Sequence, residues 1–377
     1  MDYQIGILII FIVILVIVSV LVSNSLIKIP VTNVKYPEID GLRGYLAFFV
    51  FIHHSYIWYN FLKTDIWEKP KSNLFNHLGE TSVVFFFIIT AFLFISKILD
   101  KNTIDYNWKK YLIARFYRLF PIYFFSICII FILIAIISKL KRNDSFFNLI
   151  KQIINWILFT IDGPKNINNI NNTFILNAGV TWTLPYEWMF YFLLPVFAVI
   201  LKIKVNYKII VGFVIAFLII LSIYKPSFKN FVPFIFGIAI GLLMKEKKYQ
   251  FFKKSIYTFI ALFLLFISIN YFHSGRKIIP ILISFFILFI IANGNSFFGL
   301  LSNSFSRKLG QITYSIYLLH GIILFTVFYF FIGFEKASKL SQIEHWSIIA
   351  LTIFPVILLS QITYKYIELP SMNLKNK

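Results

Sequence analysis

The sequence predicts an all-α integral membrane protein, a polytopic bundle of about eleven transmembrane helices. Three observations predict it. Of 377 residues 59% are hydrophobic, with 47 Phe and a mean hydropathy of +0.81, whereas soluble domains run about 45–50% apolar. The apolar residues fall in long unbroken runs, too long for the alternating strands of a β-barrel. The net charge of +21 is carried by short basic clusters between those runs. That is the pattern of cytoplasmic loops, and it argues against a nucleic-acid partner, which would want one folded basic patch.

Taken in order, apolar runs cover residues 5–27, 44–62, 81–98, 111–138, 149–160, 186–203, 207–224, 229–244, 254–271, 277–293, 313–332 and 345–367. The first follows Met1-Asp2-Tyr3-Gln4. It has no basic leader and too long a core for a secretory signal, so it reads as a retained helix. The run at 149–160 has only 12 residues and is too short to span, so it reads as re-entrant or interfacial.

Charge supports that count. With Arg43 inside, the inside loops are 99–110 with Lys101, Lys109 and Lys110, 202–208 with three lysines, 245–254 with five, and 302–310 with Arg307 and Lys308. The outside segment Asp162–Ala178 is rich in Asn and Ile and carries only Lys165. If 149–160 crossed, the five-lysine loop would fall outside. The bias therefore predicts eleven spans in the cell (plasma or inner) membrane, with the N-terminus outside and the C-terminus cytoplasmic. Lysines at 63–80 and 139–148 run against it. Residues 1–34 read as an additional helix and linker, and 35–377 as one membrane domain with no loop long enough to fold alone.

The stretch Glu38–Trp58, EIDGLRGYLAFFVFIHHSYIW, carries Arg43 and the pair His53-His54 in an apolar helix. Arg43 and His54 are eleven positions apart, about three turns, so they share a face and lie about 16 Å apart. If Arg43 is at the surface, His54 is near the midplane, where an ionisable residue is costly and marks a functional site. The competing reading is a neutral histidine satisfied by a backbone carbonyl.

Arg115 and Arg118, in RFYRLFPIYFF, are neighbours at the inner start of a helix behind Lys109 and Lys110. They read either as positive-inside anchors or as a clamp for phosphates, which arginine's planar fork suits. Glu187, in TWTLPYEWMFYFLLP, either caps its helix behind Pro185 or orients a sugar hydroxyl or a histidine. Tyr314, Ser315, Tyr317 and His320, in LGQITYSIYLLHGI, form a polar stripe suited to interhelical hydrogen bonds or to a supporting or substrate role. Glu368, in YKYIELP, reads as a structural ion-pair partner. The single cysteine, Cys128, lies in an apolar run without an evident base. No metal-ligand cluster and no glycine-rich nucleotide loop occurs, so no metal is expected.

Six segments in this order resemble the membrane acyltransferase 3 family: IDGLRGYLAFFVFIHHS, FFFIITAFLFIS, RFYRLFPIYFF, TWTLPYEWMFYFLLPVF, LGQITYSIYLLH and YKYIELP, spanning residues 38–370. The family's basic-residue-to-histidine pattern falls on Arg43 and His54, its Arg-x-x-Arg on Arg115 and Arg118, and its tryptophan segment with a glutamate on Trp182–Glu187. Trp188 and Met189 stand where a second acidic residue and a glutamine often occur. The resemblance implies a ten-helix core, making the helix at 5–27 an addition; many members carry a fused extracytoplasmic esterase-like domain, which is not expected in this sequence. It further implies an O-acyltransferase moving an acyl group, usually acetyl from cytoplasmic acetyl-CoA or another acyl-CoA, to a hydroxyl of an extracytoplasmic glycan or lipid-linked sugar. Arg43, Arg115 and Arg118 would then hold the donor, with His54 as general base and Arg43 and Glu187 also catalytic. Two other classes remain, a glycan or lipid transporter, which should show an internal repeat, and a polytopic glycosyltransferase using a lipid-linked sugar, which should show paired acidic residues in outside loops. Neither feature is seen.

Overall fold

The computed structural model describes residues 15–23, 25–29, 34–100, 107–201, 205–246 and 249–374. Among them the chain is helical, without a strand and with one isolated bridge, Ile167 to Ile170. It divides into two compact units. The first joins Met1–Phe86 with Tyr249–Pro370, and the second joins Phe87–Lys248 with Ser371–Lys377.

In the first unit a helix over 15–23 (α1) precedes α2, Pro37–Thr64. Pro37 starts α2, Glu38 and Asp40 lie in its first turn near the positive dipole end, and Asp65 closes it in the left-handed region with its N–H on Phe61 O. The helix α3, Asn73–Asp100, begins in this unit. The unit continues with α9 (Ser255–Tyr271), α10 (Ile278–Ala292), α11 (Ser304–Gln311), α12 (Thr313–Thr326, extended by a π segment Val327–Ile332), α13 (Phe334–Ser338) and α14 (Gln342–Thr363). A Ser341–Glu344 capping box starts α14. It runs through a π segment, Tyr364–Glu368, into α15, Leu369–Leu374.

The core of this unit is the crossing of α2 over α11 and α12. A Cβ on Gly44 would lie 2.7 Å from Gly310 N, one on Gly310 would strike Asp40 O, and one on Gly41 would strike Leu301 O. Backbone meets backbone there, so only glycine fits. Tyr45 and Ser306 close the contact with a 2.7 Å hydrogen bond between hydroxyls. Gly310→Ala gains about 1 kcal/mol of helix propensity, but forces a methyl into a backbone carbonyl, an overpacking cost of about 1–3 kcal/mol. The clash wins, and a lower unfolding temperature of the purified protein is the expected result.

The second unit holds the rest of α3, α4 (Trp108–Ile137), α5 (Phe146–Ile157), α6 (Leu184–Ile200), α7 (Tyr207–Tyr224) and α8 (Val232–Glu246). Asn107 caps α4 by accepting from Lys110 N. The aromatic core of α3, α6 and α8 stacks Phe234 on Phe87 and Phe190, with centroids 4.6 and 4.7 Å apart.

Seven helices among the described residues are long and apolar enough to cross a membrane: Asn73–Leu99, Trp108–Ile137, Val180–Ile200, Tyr207–Tyr224, Phe228–Lys245, Thr313–Ile332 and Gln342–Leu374. The expected runs at 44–62, 254–271 and 277–293 fall short for physical reasons. In α2, 28 residues long, the two histidines and Asn60 dilute the apolar stretch, while α9 and α10 have 17 and 15 residues, about 22–26 Å against a hydrocarbon core of about 30 Å. Most of the run at 5–27 lies outside the described residues. The run at 149–160 is the 12-residue α5, about 18 Å long and too short to span.

Candidate functional site

In the first unit α2 is one uninterrupted helix from Arg43 to His54, so the spacing of about three turns holds. His53 and His54 leave it in different directions. His53, 8% exposed, donates from Nδ1 to Phe75 O at 2.7 Å. It packs on Gly79, where a Cβ would come within 2.6 Å of His53 Nδ1. Its ring joins α2 to α3.

His54 turns to α12. Its Nδ1 lies 2.9 Å from His320 Nε2, and their rings stack with centroids 5.1 Å apart. His320 is fully buried, and its Nδ1 lies 2.9 Å from Ile316 O. A carbonyl only accepts, so His320 carries its proton on Nδ1 and its Nε2 is an acceptor. His54 Nδ1 is then the donor between the rings. One order of protons satisfies the chain Ile316 O, His320, His54, and it leaves His54 Nε2 with its lone pair uncommitted. A half-buried imidazole with its Nδ1 fixed and its Nε2 basic is the arrangement of a general base.

The other first-unit candidates surround this pair unevenly. Arg43 lies 3.4 Å from Asp40 Oδ1, with 17% of its side chain exposed. Tyr317 meets His320 edge to face at 6.3 Å, and Tyr314 is half-buried one turn earlier on α12. Ser315 turns to α14, bonded to Thr363 Oγ1 at 2.9 Å and donating to Glu368 Oε1. Glu368 is 4% exposed.

In the second unit Arg115, Arg118 and Glu187 gather around Tyr191. The Tyr191 hydroxyl donates to Glu187 Oε2 at 3.3 Å, and the charges of Arg115 and Arg118 also act on it. The Arg115 guanidinium sits 4.9 Å from the Phe94 ring centroid, a cation–π distance. Glu187 stands in the first turn of α6, with Pro185 in that turn as well.

Sequence reasoning missed a second polar group in the first unit. Glu80, 2% exposed, accepts from Lys69 Nζ at 2.5 Å and from Ser274 Oγ, with Arg276 Nε 3.8 Å away. One turn earlier, His77 donates from Nε2 to Phe272 O at 2.7 Å and accepts from Thr81 Oγ1. The Glu80 carboxylate and the His77 imidazole are visible in NHLGETSVVFFF as polar groups at the start of an apolar run. Their partners in Ser274 and Arg276, about 200 residues on, are not. Among the described residues no group of three His, Cys, Asp or Glu could hold a metal ion.

Comparisons bear on this arrangement. Proteins of Staphylococcus aureus strains COL, MSSA476 and MRSA252, each called "Putative O-acetyltransferase", are 23% identical over 375 residues, covering 89% of this chain and 57% of each relative. The chain thus spans a little over half the length of the curated relatives it matches. No solved structure matches it. The family model described as "Acyltransferase domain" matches residues 36–365, nearly the whole chain and both units. The chain belongs to the acyltransferase 3 family.

Proposed function

We propose that this protein transfers an acyl group, acetyl from acetyl-CoA or a related small acyl-CoA, to a hydroxyl of an extracytoplasmic glycan or lipid-linked sugar. The observation that carries the reading is the His54–His320 pair, which leaves one basic nitrogen uncommitted. His54 Nε2 takes the proton of the acceptor hydroxyl as its oxygen attacks the thioester carbonyl. The tetrahedral intermediate collapses, the C–S bond breaks, and the proton held by His54 passes to the departing thiolate. His320 keeps the charge-bearing imidazolium oriented. The products are an O-acyl ester and free CoA, with no change in oxidation state.

Arg115 and Arg118 are assigned to the donor's phosphates, and Arg43 is carried over from the family pattern as a donor contact of its own unit. Glu187 is assigned to orienting the acceptor or a neighbouring group. The charge bias of the loops supports eleven spans in the cell membrane, N-terminus outside and C-terminus inside, which gives the donor and the acceptor opposite points of entry. Replacing Arg115 and Arg118 together with Lys should raise the donor Kd about tenfold, because two bidentate contacts become point contacts. Titration of acetyl-CoA into the purified variant checks it, and an unchanged Kd would leave these arginines only an anchoring role.

The function is tested by mass spectrometry of surface glycans and lipids from cells with the protein, without it, and with His54→Ala. Loss of one acyl substituent in the last two is expected, and its mass identifies the group transferred. Identical glycans and lipids in all three would overturn the reading.

A further inference from the structure

We infer that the first unit binds one acyl chain of an anionic phospholipid, with the chain in a cavity behind α2 and the head group at the basic end of α9 and α11. The inference concerns a different face of α2 from the one that carries His54, and it does not depend on the proposed transfer.

The cavity is the first observation. It has a volume of about 720 Å³ and lies between α1, α2, α3, α9, α10 and the segment before α11. Ligand sites usually hold about 300–1,000 Å³. Its α2 wall is Leu42, Tyr45, Leu46 and Phe49, a helical face turned roughly 120° from that of Arg43 and His54. An occupant therefore sits behind the helix that carries His54. Val16, Ile17 and Leu21 of α1 form another wall, so the helix outside the expected ten-helix core helps to build the site.

The lining is apolar almost throughout. Tyr45, His77, Thr81 and Asn303 also line it, but each is engaged with the chain's own atoms. Tyr45 bonds Ser306, His77 bonds Thr81 Oγ1 and Phe272 O, and Asn303 accepts from Ser306 N and donates to Leu300 O. A ligand rich in hydroxyls would find few partners here, and a hydrocarbon chain needs none. The lining residues Leu21, Leu262 and Leu300 are exposed. In a membrane-spanning chain exposed leucines face hydrocarbon, so the way in is sideways from the bilayer. Dispersion favours filling the space, because an empty apolar cavity forfeits the contacts of its walls. It does not choose between lipids, whose tails are all alike apolar.

The second observation is the charge that makes that choice. Residues 249–255 and 295–311 carry Lys253, Lys254, Arg307 and Lys308 and no acid. The two segments are fastened together. Asn295 donates to Phe252 O and accepts from Thr258 Oγ1, both at 2.8 Å. The Lys253 stem lies over Gly294, where a Cβ would come within 2.9 Å of its Cε. The cavity reaches this end through Phe297, Leu300 and Phe305, and Lys253 and Lys254 are exposed there. Cations beside the end of a cavity open to hydrocarbon match a phosphate-bearing head whose tail lies inside.

The test uses the full chain in phosphatidylcholine nanodiscs. The probe is phosphatidylglycerol with a diazirine midway along one acyl chain, and its adducts are mapped by mass spectrometry after illumination. A single saturable adduct is expected, on peptides that carry Leu46 to Phe49 and Ala261 to Leu265. Unlabelled phosphatidylglycerol should suppress it, and inorganic phosphate should not. Ala261→Phe puts a ring into the cavity and should reduce the adduct, while without phosphatidylglycerol its unfolding temperature should equal or exceed that of the wild type. Lys253→Gln with Lys254→Gln changes two exposed side chains. It should raise the probe concentration at half-labelling by up to about thirtyfold, the surface value of two lysines toward anionic lipid. Were Ala261→Phe to unfold, this variant decides by itself. A phosphatidylcholine probe with the same diazirine chain should label the cavity less and ignore the lysine substitutions. Adducts spread evenly over lipid-facing helices, α7 included, would overturn the site and leave only bulk lipid. Equal labelling by both probes, unmoved by the lysine substitutions, would overturn the choice of an anionic head and the inference with it. Cavity peptides cross-linked to a second copy and closed to lipid would also overturn it. None of these readouts uses acyl transfer, so the proposed reaction stands or falls separately.

Discussion

His54→Ala should lower acyl transfer by about 10²–10⁴-fold, the usual contribution of general base catalysis, with the protein still folded. The fold survives because His54 is half-buried and bonds across to α12 through another side chain, His320. His53→Ala should behave in the opposite way. That ring bonds Phe75 O and fills the space over Gly79, so its loss loosens α2 against α3 and lowers stability by about 1–3 kcal/mol. Per folded molecule, His53→Ala should transfer at near the wild-type rate. Initial rates at matched folded protein, with acyl-CoA affinity measured alongside, separate the two effects. Abolished transfer in His53→Ala with near-normal transfer in His54→Ala would refute the assignment.

His320→Ala should lower kcat by up to about 10²-fold, the lower end of what a general base supplies, by leaving the base present but poorly held. Without His320 Nε2 to accept, His54 Nδ1–H loses its partner, and the alternative tautomer with Nε2 protonated becomes accessible. That tautomer cannot take a proton at Nε2. Two further readouts distinguish positioning from packing. The double variant with His54→Ala should be no slower than His54→Ala alone, because the two residues act as one unit. His320→Gln, whose side-chain carbonyl can still accept from His54 Nδ1–H, should recover part of the rate. Fully additive losses would show that His320 acts through something other than His54.

Much of the site was legible because helix periodicity is local. Arg43 and His54 fall on one face by arithmetic along a helix that proves unbroken, and the same arithmetic sends His53 elsewhere. The apolar runs gave the membrane class, the order of helices and the shortness of α5. Among the described residues seven helices are apolar and long enough to qualify on their own, and the histidines and Asn60 of α2 and the shortness of α9 and α10 keep those three below that mark.

What only the tertiary structure decided are pairings between distant parts of the chain. His320 was one of four polar residues on a helix until packing placed it against a histidine 266 positions away. Ser315, from the same stripe, went instead to Glu368. Gly44 and Gly310 gave no sign that two backbones meet between them. The left-handed turn at Phe159 and Thr160 contradicts the local preference of both residues and exists because Tyr123, Trp156 and Trp188 hold it. Composition and period determine which segments are helices and which faces are apolar. Which polar atom meets which depends on how those faces pack, and that is settled by contacts the linear pattern does not encode.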